Sequence, residues 1–209
     1  MKSNTLSWSD SDSFKKIVLC LQNNKVILAP SDTVWGLCGA PTQEVFDALN
    51  KLKVRNDKPY LLLTRSLEDI EQYAQISENE DFRKMINALW PGPLTIIFKA
   101  KEIAPAYMVS KDGKIAFRIP CHEKLQTLLE KVPVLFSTSA NISGNLVPVT
   151  YADVSPRIKE QVAAIVLPEK EDEQQSIVPS TIVDVSGGVV KVVREGAIPA
   201  QVIQLFFKK

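Results

Sequence analysis

Charge of one sign is what this sequence most plainly lacks. Its 209 residues hold 25 Lys+Arg against 24 Asp+Glu, a formal net charge of +1. The chain is no polycation, and affinity for any anion has to come from a local patch. Cysteine is scarce. Cys20, Cys38 and Cys121 form no CxxC pair and are odd in number, which argues against a disulfide framework or a zinc knuckle and for reduced thiols in the cytoplasm. His122 is the only histidine, so it cannot serve both a metal and a base. Its neighbour Cys121 points elsewhere on any regular element, against a Cys–His pair. No apolar run approaches the ~20 residues of a membrane span. The opening MKSNTLSWSDSDSFKK has no apolar core of a secretory signal. P-loop, GxGxxG and GxSxG patterns are all missing, which removes the commonest phosphate cradles and the nucleophile elbow.

What is there suits one domain over residues 1–209, since 45% of the chain is hydrophobic and no Pro-, Gly- or Ser-rich linker divides it. Apolar residues at helical spacing predict helices over 11–23, 42–53, 78–89, 122–131 and 151–162, with a last short helix opened by Pro199. Apolar or alternating runs predict strands at 25–29, 33–37, 60–64, 94–100, 114–120, 132–136 and 163–168. A hairpin with a Ser-Gly-Gly turn is predicted within 180–195. Strands and helices alternate, but hairpins interrupt them. The fold class is therefore α/β, an open twisted mixed sheet flanked by helices.

Short polar inserts stand at the strand ends. Pro30-Ser31-Asp32-Thr33 follows KVILA, and STSANISG (137–144) follows VPVLF with almost no charge. Lys51, Lys53, Arg55 and Lys58 cluster where helix 42–53 ends. Arg118 interrupts the apolar run IAFRIP, Pro179-Ser180-Thr181 opens the hairpin, and Arg194-Glu195-Gly196 closes it. Each insert has a plain structural reading. The basic cluster suits a helix carboxyl end, Asp32 an Asx turn, Asn141 a helix cap, and Trp35 and Trp90 a core. A buried arginine, however, needs an anion. Acidic residues are scarce in the neighbouring inserts, so Arg118 is read as facing a ligand anion. Together, guanidinium groups, lysine and hydroxyl-rich loops form a polyanion site, suited to positioning and charge neutralisation in phosphoryl or nucleotidyl transfer.

These elements resemble those of a known family. PSDTVWGL, Lys53-Val54-Arg55 with Lys58-Pro59, WPGPLT, FRIP, STSANISG, PSTIVD and REG are similar, in order and spacing, to the motifs of the YrdC-like (TsaC) threonylcarbamoyl-AMP synthases. The match covers about residues 14–200. The resemblance implies a concave, basic cavity and a reaction of L-threonine, bicarbonate and ATP that gives threonylcarbamoyl-adenylate and pyrophosphate. A downstream transferase complex would use the product to modify tRNA beside the anticodon. It implies a catalytic set of Lys53, Arg55, Ser139 and Asn141. Threonine would be held by Thr33, Arg118, Ser139 and Ser180, and ATP by Arg55, Lys58, Asn141 and Arg194. Magnesium would be held mainly by the nucleotide, with no metal site of the protein's own.

The chain departs from the family pattern at Asn56, where proline is usual, and at Trp35 for tyrosine and Ser31 for threonine. Val149 takes the place of a hydroxyl, which puts one ATP contact on Thr150 or removes it. Thr64 stands where longer members carry histidine. The alternatives are an RNA-binding module using the same basic residues and a diverged YrdC-like paralogue with weak or different carbamoyl-adenylate chemistry.

Overall fold

The computed structural model describes residues 5–55, 59–169 and 178–207. Its strands are β1 (Thr5–Ser7), β2 (Ile27–Ala29), β3 (Gly36–Gly39), β4 (Leu61–Thr64), β5 (Leu94–Lys99), β6 (Lys114–Arg118), β7 (Val134–Ser139), β8 (Ala164–Leu167), β9 (Thr181–Asp184) and β10 (Lys191–Arg194). Its helices are α1 (Ser11–Gln22), α2 (Gln43–Lys53), α3 (Leu67–Glu71), α4 (Glu80–Leu89), α5 (Glu123–Leu129), α6 (Pro156–Gln161) and α7 (Ala200–Leu205). The strands join one open sheet in the order β1-β8-β2-β3-β7-β4-β6-β5-β9-β10. Pairing is mixed: β2 with β3, β3 with β7, β7 with β4, and β5 with β6 are antiparallel, whereas β4 with β6 and β5 with β9 are parallel.

The predicted α/β class and most predicted elements are present, with instructive differences at their ends. β7 does not stop at Phe136. It runs on through Ser137-Thr138-Ser139, paired with Cys38, Leu37 and Gly36. The expected helix over 151–162 is shortened to α6, because Pro156 fits only the first turn and the preceding residues form turns instead. The extended run expected at 33–37 becomes a strand only from Gly36. β1 and α3 carry too few residues for a visible period and were not predicted.

Side chains alternate across the sheet, so each strand feeds two cores. One face carries Leu28, Leu37, Leu62, Phe117, Phe136, Ile96 and Val183 under α2, α4, α6 and α7. The other carries Ile27, Ala29, Cys38, Leu63 and Leu135 under α1 and α5. Each fully buried Leu or Phe here contributes roughly 1.5–3 kcal/mol. The second face is only half covered. Ser137 and Ser139 follow Leu135 on it at intervals of two, and Leu61, paired with Ser137, precedes Leu63. There the sheet is the floor of a cavity.

Candidate active site

The cavity has a volume of about 610 Å³. Its floor is strand residues Gly36, Ser137, Ser139, Leu61, Thr95, Arg118 and Ile182, and its rim comes from the polar inserts. Among the described residues, the lining includes Lys53, Arg55, Arg118 and Arg194 but no aspartate or glutamate. Ser137 and Ser139 are thus the polar end of β7, on a face that no helix covers among the described residues.

Helix α2 delivers the first two cations. Thr42 caps its amino end and Val45, Leu49 and Leu52 bury its apolar stripe. The helix ends on Val54 in the left-handed region, with φ 51° and ψ 53°, a conformation that costs a β-branched residue on the order of 1–3 kcal/mol. This turn leaves Lys53 buried and Arg55 half-buried, both on the cavity wall. Lys53 Nζ donates to Ser139 O at 2.6 Å, Asn141 O at 2.8 Å and Asn141 Oδ1 at 3.2 Å. The backbone N–H of Ser143 donates to Lys53 O at 2.9 Å. Burial, with the Arg55 charge second, pulls the Lys53 pKa down to about 8. Arg55 lies over the Tyr60 ring, 4.6 Å from its centre, and donates to Pro59 O at 2.9 Å. Burial pushes the Tyr60 phenol up to about 12, against the opposing pull of Arg55.

Arg118 departs from the expectation drawn for it. Its counter-ion is within the chain. Nη1 donates to Asp32 Oδ1 at 2.5 Å, and Asp32 Oδ2 accepts from the Cys121 backbone N–H at 2.9 Å. Asp32 is therefore an anchor for a buried arginine, not simply a local turn residue. Arg118 Nε is buried with no hydrogen-bond partner, so Asp32 fixes one edge of the guanidinium and leaves the other edge unsatisfied. Thr33 is held by Ser31, with the two hydroxyl oxygens 3.1 Å apart.

At the far end, Ser180 Oγ lies 2.8 Å from Thr95 Oγ1, and Arg194 Nη2 donates to Ser180 O at 2.7 Å. Thr181 Oγ1 donates to Ile198 O and accepts from Gly196 and Ile198 N–H groups. Gly196 permits this contact. A Cβ there would lie 2.2 Å from Pro179 O and 2.6 Å from the Ser180 carbonyl carbon, backbone atoms that cannot yield. Gly196→Ala is expected to cost about 1–3 kcal/mol through overpacking and to detach Arg194 from Ser180. Urea denaturation matching the parent would show that the close approach does not hold.

Thr33, Lys53, Arg55, Arg118, Ser139, Asn141, Ser180 and Arg194 all line this one cavity. Lys58 lies outside the described residues. Trp35 is core, as its plain reading had it; its carbonyl accepts from Ala140 N–H, and it does not line the cavity. Thr150 is turned away to Asp153, and Val147 lines the cavity instead of Val149. Thr64 is buried and donates to Asp69. His122 caps α5 through Nδ1 and Cys121 stands exposed, while burial pushes the Cys38 thiol up to about 11 and keeps it unreactive. Thr95 and Tyr60 were missed, and the alternation from Leu94 was the signal for the first; Ser137 lies within the STSANISG insert that the sequence singled out.

The family model Sua5_yciO_yrdC, described as telomere recombination, matches residues 20–196. This chain belongs to the Sua5/YciO/YrdC family. A relative from Methanocaldococcus jannaschii is 34% identical over 181 residues, covering 86% of this chain and 83% of that one. The threonylcarbamoyl-AMP synthase of Blochmanniella pennsylvanica is 30% identical over 200 residues, covering 91% of this chain and 97% of that one. The Sua5/YciO/YrdC fold is also found by superposition. P. abyssi Sua5 complexed with L-threonine matches with a TM-score of 0.86 at 22% identity, over 99% of this chain and 61% of that one. E. coli YciO matches with a TM-score of 0.80 at 23% identity, over 94% of this chain and 95% of that one.

Proposed function

We propose that this chain is a threonylcarbamoyl-AMP synthase, joining L-threonine, bicarbonate and ATP into threonylcarbamoyl-adenylate with release of pyrophosphate. The observation that carries the reading, beyond family membership, is the convergence of Lys53, Arg55, Ser139 and Asn141 on a cavity whose described lining holds four cations and no carboxylate. Such a lining accepts a triphosphate without repulsion, and about 610 Å³ lies in the range of small-molecule sites, roughly 300–1,000 Å³.

In this reading the threonine carboxylate meets the free edge of Arg118, with Thr33, Ser139 and Ser180 around the rest of the amino acid. ATP faces Arg55, Asn141 and Arg194, with Lys58 as a further contact. The neutral amine of threonine adds to carbon dioxide with loss of a proton to solvent, or to bicarbonate with loss of water, to give N-carboxythreonine. A carbamate oxygen then attacks the α-phosphorus, and pyrophosphate leaves with the bonding pair of the α–β bridge. The guanidinium of Arg55 stabilises charge on the phosphate oxygens, and Lys53 adds its field from beneath the loop. Hydroxyls, amides and guanidinium groups make no cage for a divalent ion, and no cluster of three or more His, Cys, Asp or Glu occurs among the described residues. Magnesium would therefore be held mainly by the triphosphate oxygens. The product goes to a transferase complex acting on tRNA, in the cytoplasm.

The test is pyrophosphate release by the purified protein with ATP, magnesium and bicarbonate, with and without L-threonine. Threonine-dependent release, weaker with serine, is the expected result. Release indifferent to threonine by folded, ATP-binding protein sinks the reading. Salt-sensitive tRNA binding without turnover then favours the RNA-binding alternative.

A further inference from the structure

Tyr60 is the only aromatic residue in the described lining of the cavity, and it is almost wholly buried, 2% exposed. Its ring is fixed from several sides. The ring centres of Phe46 and Phe136 lie 5.7 Å and 5.9 Å away, both close to edge-on, and the phenol donates to Asn50 Oδ1 at 2.8 Å. The guanidinium of Arg55 lies over that ring, 4.6 Å from its centre. Asn50 serves both partners. Its amide oxygen takes the phenol, and its backbone carbonyl takes the N–H groups of Val54 and of Arg55, the latter at 3.1 Å. Arg55 Nη2 in turn donates to the carbonyl of Pro59, the residue before Tyr60. The last turn of α2 and the approach to β4 are thus tied together through this arginine.

A long side chain left loose gives up rotamer freedom when it takes hold of an anion, and one already held has less to give up. A contact through the ring face also spends none of the guanidinium's hydrogen-bond donors, which lie in its own plane. We infer that Tyr60 is a positioning residue, whose ring face sets the Arg55 guanidinium in place for an incoming anion before that anion arrives. The inference rests on the synthase reading for the identity of the anion as a nucleotide phosphate. Asn50, which does not line the cavity, then supports the same arrangement from α2.

The test is made on the full chain, with calorimetry of inorganic pyrophosphate as the anion probe and threonine-dependent pyrophosphate release from ATP as the activity. Position 60 is varied in three ways. Tyr60→Phe keeps the ring, a ring-fluorinated phenylalanine keeps the shape but draws electron density out of the ring face, and Tyr60→Leu removes the ring. Thermal denaturation checks the folding of each. The two phenylalanine forms pack almost alike, so their comparison decides even where Tyr60→Leu does not fold. Pyrophosphate affinity and kcat are expected to fall about fivefold or more in Tyr60→Leu, and about threefold from the phenylalanine to its fluorinated form, the range of a partly desolvated cation–π contact. Tyr60→Phe is expected to lie within about twofold of the parent in both. In an Arg55→Ala background, the same changes at position 60 are expected to move pyrophosphate affinity by less than about twofold, which a ring needed only for packing would not produce. Equal affinity and rate in the two phenylalanine forms overturns the inference, as does the same loss with and without Arg55. A parent protein that binds pyrophosphate but shows no threonine-dependent release fails the synthase reading, and the affinity series alone then decides whether Tyr60 sets Arg55. Turnover without measurable pyrophosphate affinity hands that decision to the kcat series. A parent with neither overturns both.

Discussion

Lys53→Met is expected to lower adenylate formation on the order of 10²–10³-fold, the usual loss when a preorganised electrostatic group is removed, while the protein stays folded. The two halves of that expectation come from different facts. Activity depends on the ammonium because three bonds from Nζ hold Ser139 and Asn141 in place. Stability depends on it far less, because the buried charge is itself held at a cost. Its pKa is lowered from 10.5 to about 8, by burial first. The sign of the linkage follows. Between about pH 8 and 10.5 the unfolded chain keeps a proton that the folded chain has lost, so this residue's contribution to stability rises with pH across that window. Lys53→Met lacks that rise. Steady-state rates and denaturation of both proteins at pH 7, 8, 9 and 10 check the prediction. A variant that unfolds at pH 7, or one that keeps its rate, refutes it.

Asp32→Ala is expected to act the other way round, on the fold first. It strips a buried arginine of its partner and leaves an uncompensated charge on a residue 2% exposed, at a cost of about 3–5 kcal/mol. It also frees the Cys121 N–H at the entrance to α5. Arg118→Met in the same chain is expected to restore much of that stability without restoring turnover, because it removes the stranded charge and, in the synthase reading, the carboxylate contact. Urea denaturation of the two single variants and the double variant measures the coupling. Additive losses show that the pair is not an energetic unit.

That pair also marks the boundary of what the sequence made legible. An arginine amid IAFRIP announces that it needs an anion. It does not announce that the anion lies 86 residues earlier, because the strand order that joins the insert after β2 to the end of β6 is set by long-range pairing. The helices were legible wherever a stripe of apolar residues met a cap, as in α2 with Thr42 and Val45, Leu49 and Leu52. The turn at Val54 was not, since its β-branched side chain argues against the left-handed backbone it adopts. STSANISG was legible as a site and misread as a loop from its first residue. Hydroxyl residues at the end of an apolar run look like the end of a strand, when here they continue it over an uncovered face. The described site residues named by resemblance converge because the ends of several separate strands and of α2 bring them to that face, which no local pattern reveals.

The position of the cavity floor has a consequence for how binding can be observed. β3, β7 and β4 lie in the middle of a ten-stranded sheet, and amides in such a place exchange with solvent only when the whole fold opens. Deuterium uptake at the floor therefore reports global stability, raised by whatever the cavity binds, and cannot locate the ligand. Local protection is expected instead at 30–35 and 140–147, the inserts that form the walls. The molecule thus carries two independent gauges of one binding event, a slow one beneath the substrates and a fast one beside them.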